Sequence, residues 1–131
     1  MFTGGCLCEG VRYRVMGKMS DISLCHCSQC ARTSGHIDAS AVCAADALAL
    51  EKARTLRWYR ISEIAERGFC SNCGGNLFWR RVGSDVISVM AGTLDRPTGL
   101  RLKHHIYCAS RSDYDEIQDQ LPQYAAEAEA D

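Results

Sequence analysis

The sequence predicts a mainly β fold of small antiparallel sheets with one or two short helices. Three observations carry this. Most patterned segments are only five to seven residues long, they alternate apolar and polar positions, and Gly, Asp or Ser closes each of them. Val11-Arg12-Tyr13-Arg14-Val15 is the clearest case, with a period of two that sets three apolar side chains on one face and two arginines on the other. The same reading covers His36 to Val42, Leu56 to Ile61, Asn76 to Arg80, Asp85 to Met90 and His104 to Cys108. Helix is expected in two places only. Ala44 to Leu50 is a candidate short turn, and Ser112 to Gln120 opens with Ser112 and Asp115 at capping-box spacing and closes before Pro122.

A chain of 131 residues, 47% hydrophobic and 24% charged, makes one globular core. Neither an internal repeat nor a Pro/Gly/Ser linker divides it. Residues 1–124 are therefore expected to be a single domain, and the acidic stretch 125–131 a frayed, functionally silent tail. A net charge of −1 gives no attraction to nucleic acid or to an anionic membrane surface. The start Met-Phe-Thr-Gly-Gly-Cys has no basic and apolar signal pattern, so the expectation is a cytoplasmic protein with reduced thiols.

Nine cysteines in such a compartment read as metal ligands before they read as disulfides, and nine is an odd number. Seven of them fall in three clusters, Cys6-Cys8, Cys25-Cys27-Cys30 and Cys70-Cys73. On a strand, Cys6 and Cys8 would share a face, as would Cys25 and Cys27. Cys70-Ser71-Asn72-Cys73-Gly74-Gly75 is a tight Cys-x-x-Cys turn whose glycine permits positive φ and turns backbone N–H groups toward the sulfurs. The set predicts zinc, two ions per chain, the second of them labile. Tetrahedral zinc takes four ligands when structural and commonly three plus water when catalytic, and seven is four plus three. Cys25, Cys27 and Cys30 make a local three-point holder with an open position, while Cys6, Cys8, Cys70 and Cys73 would staple distant parts of the chain, worth on the order of 10 kcal/mol to folding. Spacing also allows Cys43, Cys108, His26 or another histidine to close the triad into a second structural site. Holding two zinc ions on seven thiolates would move the net charge to about −4.

Other residues take humbler expectations. His26, between two cysteines of one face, points the other way into packing or solvent. Arg32 follows the triad by two residues and is the candidate contact for a substrate carboxylate. Cys43 and Cys108 sit in apolar surroundings and are expected in the core. Trp58, Tyr59, Phe78 and Trp79 fall on expected strands, with one or two facing a pocket. His104 and His105 are candidates for base or ligand.

Gly4-Gly5-Cys6-Leu7-Cys8 with Gly10-Val11 and Tyr13, then Cys25-His26-Cys27-Ser28-Gln29-Cys30, then Phe69-Cys70-Ser71-Asn72-Cys73-Gly74, and finally His105-Ile106-Tyr107 together resemble the glutathione-dependent formaldehyde-activating enzyme family, which shares its domain with centromere protein V. Leu121-Pro122 and Tyr124 are similar to the family's ending. The resemblance implies an Mss4-like fold, with Cys6, Cys8, Cys70 and Cys73 as structural-zinc ligands and Cys25, Cys27 and Cys30 as catalytic-zinc ligands. It also implies a carbon-sulfur lyase working on a small thiol or thiol adduct such as glutathione, forming or cleaving S-hydroxymethylglutathione. The chain is near the minimal domain, with Tyr114 where relatives often carry tryptophan and Cys108 where an apolar residue is commoner.

An open zinc position either binds a thiol as thiolate or polarises an aldehyde oxygen. Three thiolate donors soften the metal and favour the first. The alternative is a non-enzymatic zinc-stabilised binding module, since the Mss4-like fold includes a chaperone-like partner of small GTPases. Such a module needs the four-cysteine site alone.

Overall fold

The computed structural model describes residues 1–128 and confirms a mainly β protein. Its strands are β1 (Phe2–Gly5), β2 (Val11–Val15), β3 (Ile22–Cys25), β4 (Asp38–Ala44), β5 (Leu48–Ala53), β6 (Leu56–Arg60), β7 (Ala65–Cys70), β8 (Asn76–Arg81), β9 (Val86–Met90) and β10 (Leu102–Ile106). A single helix, α1 (Ser28–Ser34), stands between β3 and β4. Among the described residues no helix is long and apolar enough to cross a membrane.

Two sheets divide the strands. The smaller runs β1-β2-β5 and the larger β10-β3-β4-β9-β8-β7-β6. All pairings are antiparallel except β10 with β3, which run parallel and place Ile106 beside Cys25. The alternation read in Val11 to Val15 decides how the sheets meet: Val11, Tyr13 and Val15 are sealed inside while Arg14 faces solvent. Tyr13 meets Phe78 of β8 edge to face, ring centroids 5.3 Å apart, within a core that includes Leu77, Val89 and Cys43. Its hydroxyl, hydrogen-bonded to Thr93 Oγ1 at 2.6 Å, is pushed up to about 12 by burial. Gly4 admits this ring because a β-carbon there would strike the Tyr13 hydroxyl and the Thr93 carbonyl.

All six expected strands lie within two residues of their observed bounds; the last, β10, begins two residues early and ends at Ile106. It stops there because Tyr107 turns into the left-handed region at φ 56°. Four strands escape the period-two pattern. In β7, for example, Arg67 occupies a buried position that an alternation rule assigns to an apolar residue. The Ala44 to Leu50 segment is a 3-10 turn only over Ala45–Ala47 and then becomes β5.

The expected helix over Ser112 to Gln120 does not form. Asp115, read as a capping residue, instead turns its carboxylate inward to a buried histidine, and Asp119 does the same for a second. Buried imidazoles demand partners, and satisfying them holds this stretch in an irregular course. Pro122 consequently ends no helix; its carbonyl accepts from the His105 backbone N–H at 2.9 Å. The supposed tail is also ordered over 125–127, where Ala125 and Ala126 accept from Ala109 and Tyr107. Residues 129–131 of that expected tail lie outside the described residues.

Leu77 is fully buried between the sheets, so Leu77→Ala should cost about 3 kcal/mol in urea unfolding at neutral pH. Tyr13→Phe, which removes a hydroxyl yet leaves Thr93 bonded to the Met90 carbonyl, should cost about 1 kcal/mol or less. Equal losses would mean that the hydroxyl bond, not apolar filling, joins the sheets.

Candidate metal centres and the pocket beside them

Two groups of sulfurs converge. Cys6, Cys8, Cys70 and Cys73 form one and Cys25, Cys27 and Cys30 the other, each with its ligand atoms within 4.8 Å of one another. All nine cysteines are free thiols. Both groups are placed to hold metal ions.

The first group joins the two sheets. Cys6 and Cys8 sit in the turn after β1, not on a strand as their spacing suggested. The turn, with Glu9 at φ 61°, brings their sulfurs to 3.7 Å where strand alternation would have spread them. Cys70 ends β7, and the following turn bends through Gly74 at φ 77°, as the glycine required. Backbone N–H groups of Asn72 and Cys73 donate to Cys70 Sγ, both at 3.4 Å, and Val11 N–H donates to Cys6 Sγ at 3.3 Å. The Cys73 amide above all, with the Thr55 hydroxyl, holds the Cys70 thiol down at about 5. Burial drives Cys6 the other way, to about 11.

The second group is a strand-to-helix corner. Cys25 ends β3, Cys27 caps α1 with its sulfur accepting from Cys30 N–H at 3.3 Å, and Cys30 lies in the first turn. Gly35 closes the helix in the left-handed conformation. The hydrogen bond from Cys30 brings the Cys25 thiol down to about 7, while the same contact and burial push Cys30 well up.

The triad opens on a pocket of about 550 Å³, in the size range of small-molecule sites. Asp38, Arg67, Trp79, Arg81, Met90 and Tyr107 line it, and so does Glu127. Among the four aromatics expected on strands, Trp79 is the one that faces this space. The four-sulfur group lines none of it.

No further Cys, His, Asp or Glu joins the triad among the described residues. Cys43 and Cys108 are buried elsewhere, as their apolar settings indicated. His26 points away from its flanking cysteines and both its ring nitrogens are engaged, Nδ1 with Asp115 at 2.5 Å and Nε2 with His105 Nδ1 at 2.8 Å. His105 is equally committed, its Nε2 at 2.9 Å from Asp119, and neither histidine lines the pocket. Three protons are needed along this Asp115-His26-His105-Asp119 chain, one more than two neutral imidazoles supply. His104 Nε2 pairs with Ser23.

Arg32 is exposed on the last turn of α1 and outside the pocket. The buried guanidinium there is Arg67, from a strand whose pattern gave no signal for it. Glu127 was assigned to a silent tail, yet it accepts from the Tyr107 hydroxyl at 3.3 Å and pairs with Arg81 at 3.7 Å across the pocket.

The glutathione-dependent formaldehyde-activating enzyme family matches residues 1–110, a span that includes every cysteine of both groups. The chain belongs to that family. Among solved structures, a crystal structure of a Rhodobacter sphaeroides protein is similar at a TM-score of 0.61 and 23% identity, covering 77% of this chain and 99% of its own. The fold is thereby that of the formaldehyde-activating domain, of the Mss4-like kind. Comparison with curated proteins gives no match.

Glu127 closes one side of the pocket through two exposed contacts, each weak by nature. With the triad free of metal, Glu127→Ala should speed iodoacetamide labelling of Cys25, read by peptide mass spectrometry. In both proteins the labelling rate should climb through about pH 7, since a lowered thiol pKa makes the reactive thiolate earlier. An unchanged rate in the variant would show that residues 125–127 do not restrict access.

Proposed function

We propose that this protein is a zinc-dependent carbon-sulfur lyase that forms or cleaves a small thiol-aldehyde adduct, glutathione-linked as the family's activity implies. The observation that carries this is the three-sulfur corner, joined by no fourth side chain among the described residues and facing a pocket. Cys25, Cys27 and Cys30 are the catalytic ligands, and Cys6, Cys8, Cys70 and Cys73 hold a structural zinc. An all-thiolate donor set suits zinc among the common divalent ions. Zinc at the triad supplies a lowered pKa for an incoming thiol and Lewis acidity for a carbonyl oxygen.

The chain's own residues do the rest. In the synthetic direction the substrate sulfur bonds to the aldehyde carbon, the C=O π pair moves to oxygen, and the thiol proton ends on that oxygen. The Tyr107 hydroxyl, the Gln29 amide and the serines at 28, 40, 62, 88 and 110 are neutral donors on the pocket wall available to such an oxygen. Trp79, Met90 and Ile106 give the pocket an apolar wall that excludes water from the reacting atoms. Arg81, on the pocket wall and paired with Glu127, is the cationic contact for a substrate carboxylate in place of Arg32. A module using the fold only for binding would need the four-sulfur staple and leave this triad without a task.

Metal content separates the two groups. Reduced wild-type protein should carry two zinc ions and Cys27→Ser one, whereas Cys73→Ser should fail to fold stably. Exchange spectroscopy of glutathione with formaldehyde should then show faster exchange with zinc-loaded wild type and loss of that acceleration in Cys27→Ser. If the fully loaded wild type left the exchange rate unchanged, this substrate pair would be rejected.

A further inference from the structure

Arg67 is only 4% exposed, and no function described above requires it. A guanidinium taken from water into a protein interior loses several kcal/mol of solvation and needs a compelling partner. Asp38, equally buried, is the evident one, but the pairing is poorly used. Nη1 and Nη2 both address the same oxygen, Asp38 Oδ2, each at 3.2 Å, and Nε is buried with no hydrogen-bond partner among the described residues. The parallel two-oxygen fork that makes Arg-carboxylate pairs strong is absent. Nη2 reaches elsewhere as well, to Gln29 Oε1 and to Cys30 Sγ, both at 3.4 Å. Arg67 thus lies between a carboxylate and a sulfur of the triad, on the pocket wall.

We propose that Arg67 is a positioning residue for the triad, donating an N–H···S hydrogen bond that orients the Cys30 sulfur and withdraws charge from it. The inference rests on the reading of Cys25, Cys27 and Cys30 as a metal holder. Three thiolates with a divalent ion leave one net negative charge, and an anionic substrate thiol adds another. The neutral Arg67–Asp38 pair adds none. Without Arg67 the Asp38 carboxylate would stand uncompensated beside that anionic group, opposing the arrival of a further anion. The planar guanidinium can serve Asp38 and Cys30 at once, which an ammonium on a flexible stem does poorly.

NMR-active cadmium loaded at two equivalents tests this without turnover, because each site gives its own resonance and the triad's is the one lost in Cys27→Ser. In the wild type the triad resonance should correlate with an arginine Nη proton through the hydrogen bond. Arg67→Gln should abolish that correlation and shift the triad resonance, leaving the four-sulfur resonance in place as the internal control for folding. An Arg67→Gln triad resonance at the wild-type position, with no arginine correlation in the wild type, would overturn the proposal and leave the metal-site reading standing. Should Arg67→Gln not fold, the wild-type correlation decides alone: its presence supports the role and its absence removes it. No triad resonance in fully loaded wild type would overturn both the metal-site reading and this inference.

Discussion

The structure depends on four sulfurs meeting between two sheets. β1, β2 and β5 form a three-stranded sheet whose apolar face is buried against the rest of the core, and β7 and β8 belong to the other sheet. Cys6 and Cys8 come from the turn of the first and Cys70 and Cys73 from the turn of the second. The Tyr13–Phe78 contact and the buried Leu77 lie between these sheets, so the apolar core and the sulfur group hold the same junction. A domain of this size buries modest apolar area, and a metal held by the four sulfurs would reinforce the junction where the core is small.

Once the sheets are joined, the larger one places the chemistry. The parallel pairing of β10 with β3 sets the chain before Tyr107 beside Cys25, and α1 then carries Cys30 back over the sheet toward Arg67 of β7. Two buried polar clusters brace this corner from opposite sides, Asp38 with Arg67 on one and the Asp115-His26-His105-Asp119 chain on the other. His26 therefore fixes the peptide between Cys25 and Cys27 without ligating, a role that its position between two cysteines conceals.

Local rules made much of this legible. The alternation of Val11 to Val15 gave the core strand, and the Cys-x-x-Cys-Gly turn gave the knuckle with its inward N–H groups, because both depend on neighbours in sequence. Count and spacing suggested the grouping of seven sulfurs into four and three while leaving Cys43, Cys108 or a histidine open, and the family resemblance implied it. What failed depended on partners far along the chain. Ser112 and Asp115 have capping-box spacing, but Asp115 serves a histidine 89 residues away and the helix gives way. Arg67 could not be singled out in a strand of mixed pattern because its partners, Asp38, Gln29 and Cys30, come from other elements. Arg32 was attractive only because it is near the triad in sequence. Side-chain direction on α1 carries it to the surface instead.

The two sulfur groups use the same residue type for different ends, and their N–H donors show how. Around the four-sulfur group the N–H donors are backbone amides, those of Val11, Asn72 and Cys73 and, toward Cys73, those of Cys8 and Gly75. Backbone donors in tight turns are fixed by the fold, so the charge they stabilise is stabilised permanently, as befits a staple. In the triad the Cys30 N–H donates to Cys27 and the Cys27 N–H to Cys25, and a side chain, that of Arg67, donates to Cys30. A side-chain donor shared with Asp38 can yield ground when charge at the sulfurs changes, which a backbone amide held in a turn cannot. On the proposed reading the triad accepts and releases a fourth ligand and has use for that compliance, whereas a site that only holds two sheets together has none.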